Sequence, residues 1–494
     1  MEMMIGNNAK TLFLLLVLLA GWGLILAGRV TAQTFTTLYS FTGGIDGKYP
    51  RPGLILSGST LYGVAFRGGS SLAGSVFSVN IDGTGFATLY SFTGGSDGTL
   101  PSDGLVLSGS TLYGTAYQGG SSGNGTVFAV DTNNASFTTL HPFTASSGIF
   151  PSITNSDGAN PVGGLILSSN TLYGTAFNGG SSGRGTLFAV NSDGTGFTNL
   201  HSFTPGTGAF PSITNSDGAY PAGRLIISGR TLYGTAEDGG SWGYGTVFKL
   251  NTDGTGFTTL HNFTGGGGGA YPRAGLSLSG NTLFGTTAQG GSSGNGTVFA
   301  VDTDATGFMT LYNFTAGSGV FPFITNSDGA NPVGALVLSG NTLFGTAFMG
   351  GSSGAGTAFA VNINGTGFTT LHVFTAIPAP YHTNSDGAYP PAGLTVLGNT
   401  LFGIAEEGGG SGYGTVFSIT LPPQLTIIPA GPNVILTWPT NATGFHLQKT
   451  VNLGPPAGWT TYNLIQPPTI TNGQFVVTIP TTTTDTQQYY RLSQ

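Results

Sequence analysis

Two loops in a repeated sequence bring acidic and aromatic side chains together. They read AEDGGSWGYGT (236–246) and AEEGGGSGYGT (405–415). Their polar and aromatic residues are Glu237, Asp238, Trp242 and Tyr244 in the first loop, and Glu406, Glu407 and Tyr413 in the second. A carboxylate pair can hydrolyse a glycosidic bond when its two groups lie within about 5–10 Å. Because the loops belong to distant repeats, and adjacent residues at a strand end face opposite ways, we predict no catalytic pair. We favour solvated loop tips, with ligand contact as the alternative.

A second set of side chains precedes a proline in each repeat. The residues at this position are Tyr49, Leu100, Asn160, Tyr220, Tyr271, Asn331 and Tyr389. Tyrosines among Asn, Ser and Thr suit stacking on sugar rings. The alternative, which we favour, is that each aromatic ring packs on its own loop, with the neighbouring Asp-Gly forming an Asx-turn.

Three other motifs resemble phosphate-, calcium- or metal-binding sites, but each has a structural interpretation. GGSSGRGT (179–186) lacks the lysine of a phosphate loop and leads into a strand. DTDATG (302–307) lacks the glutamate that ends a calcium loop, so we predict a hairpin there. Four histidines occupy one equivalent position, one per repeat, which indicates a structural role: His141, His201, His261 and His372. We predict no metal site and no cofactor.

Composition narrows the class of protein. The 494 residues include 12 Lys and Arg against 19 Asp and Glu, without a basic run, which argues against nucleic acid as a partner. The absence of cysteine excludes disulfides, a thiol nucleophile and thiolate metal sites. A hydrophobic content of 39% is enough for a sizeable core despite 87 glycines.

The N-terminus has the three parts of a secretory signal. Lys10 precedes an apolar run at 12–27, and small residues end at Ala32, so we predict a signal peptide over 1–32. An uncleaved membrane anchor is the alternative. We expect a secreted or cell-surface bacterial protein, monomeric and without a membrane span after cleavage.

Seven copies of one repeat follow, anchored on a glycine in Leu-Tyr/Phe-Gly: Gly63, Gly114, Gly174, Gly234, Gly285, Gly345 and Gly403. Each copy predicts four strands, A to D, which in the second copy are 104–108, 111–116, 125–130 and 136–143. Residues 34–41 form a D strand without a preceding copy, and the last copy lacks its D strand. The fold class predicted is therefore all-β, a seven-bladed β-propeller over 33–420 that the N-terminal outer strand closes.

Two further expectations concern packing and function. The glycine within strand B should allow neighbouring blades to approach closely. The B–C and D–A loops should lie on one shared face.

After residue 419 the repeat stops. Short β-rich runs separated by turns predict a small β-sandwich over 421–494, with Trp438 in its core.

The repeat resembles the bacterial "choice-of-anchor tandem repeat GloVer" family through LYGTAxxGG, GTVFAV, DGTGFTTLH and SDGAxP, over essentially 34–420. The blade layout is also similar to kelch repeats, and the last domain to fibronectin- or immunoglobulin-like modules. The resemblance implies an exported surface or extracellular protein and no established activity.

We therefore expect an exported, non-catalytic binding or surface-structural protein that recognises a glycan or a cell-surface protein through the loop-bearing face. The alternative is a propeller-type polysaccharide lyase or hydrolase, which rests on analogy of fold.

Overall fold

The computed structural model describes most of the repeat region and parts of the C-terminal region. The described residues are 33–51, 53–148, 153–208, 213–319, 324–423, 425–430, 433–439, 446–450, 459–462, 468–471, 474–480 and 489–493. The predicted signal peptide lies outside them. Within these ranges, no helix has the length and apolar character needed to cross a bilayer.

Every regular element in the described residues is a β-strand. In chain order the strands of the repeat region are β1 Thr34–Ser40, β2 Lys48–Pro50, β3 Ile55–Ser57, β4 Thr60–Arg67, β5 Ser75–Asn80, β6 Ala87–Ser91, β7 Thr99–Pro101, β8 Val106–Ser108, β9 Thr111–Gln118, β10 Thr126–Asp131, β11 Phe137–Pro142, β12 Ile166–Ser168, β13 Thr171–Ala176, β14 Thr186–Asn191, β15 Thr198–Ser202, β16 Ile226–Ser228, β17 Thr231–Ala236, β18 Thr246–Asn251, β19 Thr258–Asn262, β20 Ser277–Ser279, β21 Thr282–Thr287, β22 Thr297–Asp302, β23 Met309–Asn313, β24 Val337–Ser339, β25 Thr342–Ala347, β26 Thr357–Asn362, β27 Thr369–Val373, β28 Thr395–Leu397, β29 Thr400–Ala405 and β30 Thr415–Thr420.

These strands form seven antiparallel sheets of four or five strands, one for each repeat. Sheets one and two contain β2–β6 and β7–β11, sheets three to six contain four consecutive strands each from β12 to β27, and sheet seven has the order β1-β30-β29-β28. The predicted strands A to D are confirmed in order, and the architecture is all-β and propeller-like. The short strands β2 and β7 pair with β4 and β9 and were not predicted.

The N-terminal strand lies beside the last strand of the array, as predicted. β1 pairs with β30 in antiparallel register, with Phe35 opposite Ile419 and Thr37 opposite Phe417. Sheet seven therefore takes its outer strand from the other end of the repeat region.

Apolar residues join each sheet to the next. The C strands are buried almost throughout, because both faces of each sheet are covered. Seven apolar clusters each contain residues of two successive sheets. One of them combines Phe402 and Val416 of sheet seven with Leu61 and Phe77 of sheet one.

The glycine within strand B has a different role from the one predicted. A Cβ atom at Gly114 would lie 2.6 Å from Cζ of Phe128 and 2.8 Å from Cδ2 of Leu105, both in the same repeat. The glycine thus makes room for the ring of its own cross-strand partner rather than for a neighbouring sheet. The same pairing occurs in every sheet: Gly63–Phe77, Gly114–Phe128, Gly174–Phe188, Gly234–Phe248, Gly285–Phe299, Gly345–Phe359 and Gly403–Phe417.

The outer strands of successive sheets are connected by stacked rings. In each D strand a β-bulge precedes a Tyr or His, whose ring stacks on a Phe of the next sheet. The centroid distances lie between 3.6 and 4.2 Å. The stacked pairs are Tyr39–Phe86, Tyr90–Phe137, His141–Phe197, His201–Phe257, His261–Phe308, Tyr312–Phe368 and His372–Phe35.

An aspartate in the D–A loop binds the same Tyr or His. Asp157 accepts hydrogen bonds from Nε2 of His141 (3.0 Å) and from the backbone N–H (3.0 Å) and the hydroxyl of Thr144. Burial opposes ionisation of Asp157, but the bonds from His141 and Thr144 outweigh it and hold its pKa below the ordinary value. The aspartate thus fixes the loop rather than forming the predicted Asx-turn; where the loop is longer, Asn155 accepts from the N–H of Gly158.

Six repeats share this arrangement: Asp46–Tyr39, Asp97–Tyr90, Asp157–His141, Asp217–His201, Asp328–Tyr312 and Asp386–His372. The histidine column is therefore structural, as predicted. His261 is the exception, because Gly268 occupies the position of the aspartate. Burial lowers the pKa of His261 to about 4.

The two sheets of the C-terminal region share one core. The strands are β31 Thr426–Ala430, β32 Asn433–Pro439, β33 His446–Thr450, β34 Thr460–Thr461, β35 Thr469–Thr471, β36 Gln474–Pro480 and β37 Tyr489–Ser493. They form the sheets β31-β32-β36-β35 and β34-β33-β37. Trp438 is buried between them with Leu436 and Leu447, as predicted for a core residue.

We predict that Gly268→Asp stabilises the protein. The loop 264–272 has the same length and turn as 93–101, where Asp97 binds Tyr90. A carboxylate beside His261 favours the imidazolium, so the pKa of His261 should rise from about 4 towards the ordinary value of about 6.5. A Cβ at position 268 would lie 3.3 Å from Cε1 of Phe308, so this ring has to shift slightly. The new bond should add about 1 kcal/mol of stability.

NMR titration of His261 and thermal melting would measure both effects. Gly267→Asp is the matched control, because a Cβ there has no atom within 4 Å. Equal effects of the two substitutions, or an unchanged pKa of His261, would contradict the assignment of this loop position.

Candidate functional site

Residues from all seven repeats line one cavity of about 610 Å³. Its wall forms where the chain leaves the proline of each D–A loop and enters strand A. The backbones approach closely there: a Cβ at Gly164 would lie 3.0 Å from the carbonyl oxygen of Gly104, and one at Gly275 would lie 2.8 Å from that of Arg224. Small residues are therefore required at most of these positions.

The second and third residues after the proline are small in nearly every repeat. The second residues after the proline are Pro52, Asp103, Gly163, Gly223, Ala274, Gly334 and Ala392. The third residues are Gly53, Gly104, Gly164, Arg224, Gly275, Ala335 and Gly393. Asp103 and Arg224 are thus the two charged residues in two positions that otherwise hold Gly, Ala or Pro, and both line the cavity.

Asp103 connects two repeats at the wall. Its Oδ1 accepts from the N–H of Gly104 at 2.5 Å, and its Oδ2 accepts from the N–H of Gly164 in the next repeat. Burial raises the pKa of Asp103 to about 6, although these bonds and the charge of Arg224 oppose the rise. The two N–H bonds and the charge of Arg224 favour its ionised form.

Arg224 supplies a cation without a hydrogen-bonded partner among the described residues. Burial lowers the pKa of its guanidinium, and the charge of Asp103 opposes this change. An arginine remains protonated in such surroundings. Its donors are therefore available to the contents of the cavity.

Two further arginines of the wall form ion pairs with glutamates of another repeat. Nε of Arg51 lies 2.8 Å from Oε1 of Glu406, and the guanidinium also lies over the ring of Phe66, 4.1 Å from its centroid. Nε and Nη2 of Arg273 lie 2.7 and 2.5 Å from Oε1 of Glu237. Burial raises the pKa of Glu406 despite Arg51. The two acidic loops thus form separate ion pairs rather than solvated tips.

Asp238 is buried at the end of β17 and is 2% exposed. Its Oδ1 has no hydrogen-bond partner among the described residues. Burial raises the pKa of Asp238 to about 7, and the charge of Glu237 adds to the rise, while Arg273 and Arg184 oppose it. Glu407 occupies the equivalent bridge position in the seventh repeat.

The predicted tyrosines pack against aromatic residues of another repeat. The ring pairs are Tyr49–Tyr413 (6.1 Å), Tyr271–Tyr244 (5.8 Å), Tyr220–Phe177 (5.0 Å) and Tyr389–Phe348 (5.4 Å). Tyr220 is fully buried, and its hydroxyl accepts from Nη1 of Arg184. Packing occurs between repeats, whereas the sequence suggested packing within one loop. Trp242 is 62% exposed on its loop.

Among the sequence-predicted site residues, Glu406 lines the cavity, and Glu237 binds Arg273 of its wall. The sequence analysis missed Asp103, Arg224, Arg51 and Arg273. Aligning the seven copies position by position would have found them, since each departs from the small or apolar residues of its column. The run 302–307 forms the predicted hairpin, in which Asp302 N–H donates to Thr306.

Comparison with known proteins places the repeats in a family. Residues 19–154 and 149–325 match the Gloeobacter/Verrucomicrobia repeat. No curated protein matches the chain in sequence.

Three solved structures are similar at low identity. An oligogalacturonate lyase in complex with manganese is 12% identical over 81% of this chain and 99% of that chain, with a TM-score of 0.46. A putative 6-phosphogluconolactonase from Bacteroides uniformis is 14% identical over 88% and 100%, with a TM-score of 0.44. A puromycin-hydrolyzing peptidase from Mycobacterium tuberculosis is 10% identical over 82% and 61%, with a TM-score of 0.45.

We predict that Asp238→Asn changes the pH dependence of stability. In the unfolded chain Asp238 ionises near pH 4, whereas in the folded protein its pKa is about 7. The unfolded state therefore binds fewer protons between these values, and wild-type stability falls as pH rises from about 4 to about 7. Asn178 shows that an amide fits the equivalent position.

The variant should match the wild type near pH 4 and exceed it at pH 8, by an amount on the order of 2–4 kcal/mol. Urea unfolding at each pH would measure this difference. If the free energies of unfolding of the two proteins change in parallel across pH 4–8, the pKa of Asp238 is not raised in the folded protein.

Proposed function

The chain belongs to the Gloeobacter/Verrucomicrobia repeat family, and we propose that its repeats form a closed seven-bladed β-propeller that binds a saccharide in its central cavity. In this proposal it is an exported, non-catalytic binding protein. The loop-bearing face is the entrance to the cavity, because the D–A loops and the ends of the B strands contribute residues to its wall.

Three observations support closure. β1 completes the sheet of the seventh repeat by pairing with β30. The seven apolar clusters link the sheets in sequence and return from the seventh to the first. The seven ring stacks follow the same path, and the last one joins His372 to Phe35 of β1. A closed arrangement hides the edge that an open array would expose.

The observation that carries the binding proposal is a cavity whose wall draws on all seven repeats. Its volume falls within the range of small-molecule sites, roughly 300–1,000 Å³. Arg224, Asn331 and Ser102 bring polar side chains to it, while Leu54 and Phe348 bring apolar ones. Sugars present both hydroxyl groups and apolar ring faces, and such a mixed wall suits both.

The carboxylates of the wall favour binding over catalysis. Both oxygens of Asp103 accept backbone N–H groups, and Glu406 is paired with Arg51. A general acid or nucleophile needs a carboxyl group that is free to reach the glycosidic oxygen or carbon.

The raised pKa values of Asp103 and Glu406 are the observation that favours the enzymatic alternative, a polysaccharide lyase or hydrolase. Timed release of unsaturated or reducing-end sugars from polysaccharides would establish it.

We also propose that the protein is exported and that its last domain is a fibronectin- or immunoglobulin-like module. Export to the cell surface or the medium is supported by the signal-like sequence at 1–32. A fibronectin- or immunoglobulin-like module at 421–494 is supported by two small sheets around one core. A protein on the cell surface is the second class of partner that we propose for the loop-bearing face.

We predict that Val333→Trp abolishes saccharide binding. Val333 lines the cavity at the position that holds Arg51 and Arg273 in other repeats, so the backbone accepts a long side chain there. An indole at this position fills space that the ligand would need. Calorimetric titration with a panel of mono- and disaccharides would measure the loss.

Trp242→Ala is the matched control, because this exposed indole lies on an outer loop. Binding that survives Val333→Trp and disappears in Trp242→Ala would move the site from the cavity to the loop tips. Binding of no saccharide by the wild type would refute the proposed function itself.

A further inference from the structure

We propose that the ligand of the central cavity carries an anionic group, a carboxylate or a sulfate, and that Arg224 binds it. This inference rests on the proposed function and specifies the class of saccharide.

The wall of the cavity contains three arginines. Arg51 and Arg273 each have a glutamate at hydrogen-bond distance, so their charges are compensated before a ligand enters. Arg224 has no hydrogen-bonded acceptor among the described residues. It is therefore the guanidinium whose donors a ligand can occupy without displacing an ion pair.

Asp103 does not accept hydrogen bonds from the N–H groups of Arg224 in the described residues. Its two oxygens accept the N–H groups of Gly104 and Gly164, so its carboxylate is fixed to the wall. Arg224 interacts with it through charge, and no ion pair joins the two side chains within the described residues. The carboxylate of Asp103 thus places a negative charge near Arg224 and leaves the N–H donors of the guanidinium available to a ligand.

The fold does not require an arginine at this position. The equivalent residues of the other repeats are Gly53, Gly104, Gly164, Gly275, Ala335 and Gly393. Six repeats thus have Gly or Ala at this position, and the fourth alone has a cation there. A guanidinium donates two parallel N–H bonds to a planar or tetrahedral oxyanion. The hydroxyl oxygens of a neutral sugar carry no charge, so the bonds that they accept are weaker.

The partly enclosed setting strengthens the interaction. Burial lowers the effective dielectric, so a charge-assisted hydrogen bond contributes more than it would at an exposed site. We expect an acidic saccharide to bind about 10-fold more tightly than its neutral counterpart, or better.

The test compares D-glucose, D-glucuronate and D-glucose 6-sulfate by calorimetry or ligand-observed NMR on the full chain. The three share one ring and differ in the group at C6. Tighter binding of glucuronate alone identifies a carboxylate site, and tighter binding of the sulfate ester as well identifies a general oxyanion site.

Two variants assign the effect to Arg224. Arg224→Ala reproduces Ala335 of the sixth repeat and should fold, and it should remove the preference for the charged sugars. Arg230→Ala is the matched control, because Arg230 is an exposed arginine that pairs with Asp253 at 3.7 Å. Arg224→Lys keeps the charge without the fork and should retain part of the preference.

The outcomes separate the two proposals. Equal affinity for all three sugars would contradict the proposal that the ligand is anionic, but not the proposal that the cavity binds a saccharide. A preference that persists in Arg224→Ala, with an unchanged melting temperature, would also overturn it. Binding of none of the three or of the wider panel would refute the proposed function and this inference together.

Discussion

The pairing of β1 with β30 is the contact on which the remaining arrangement depends. It gives the seventh sheet an outer strand and covers the edge that the last repeat would otherwise expose. It also places Phe35 on His372 of the sixth repeat and Tyr39 on Phe86 of the first, so the outer ring stacks continue through the seventh sheet to the first. In the closed propeller that we propose, this pairing also brings the first and the seventh repeats together in the wall of the cavity.

The outer and the inner positions of each repeat have different roles. The outer positions hold the sheets together through ring stacks and through aspartates such as Asp157, which tie the D–A loops to the D strands. The inner positions are small, since neighbouring backbones nearly touch there. Near-identical copies therefore give a uniform scaffold, and the few charged exceptions, Asp103 and Arg224, distinguish one part of the cavity from the rest.

The repeat pattern predicted the strands, their order and the displaced D strand, because β-branched and aromatic runs between glycine turns leave few alternatives. It did not predict why strand B contains glycine, since the ring of Phe128 reaches Gly114 across the strands and not along the chain. Nor could it place Arg51 beside Glu406, which are 355 residues apart in sequence. Asp103 and Arg224 can be found in the sequence as charged residues at positions that are small in the other repeats. That they line the same cavity follows only from the arrangement of the sheets.

The two ends of the repeat region belong to one sheet. Thr36 lies opposite Ser418, and the chain has no cysteine of its own, so Thr36→Cys with Ser418→Cys gives a clean crosslinking test. Strand partners lie within disulfide reach. Mild oxidation should convert the double variant into an intramolecularly crosslinked monomer that migrates differently on a non-reducing gel and reverts on reduction. Free thiols, or crosslinks only between molecules, would contradict the account.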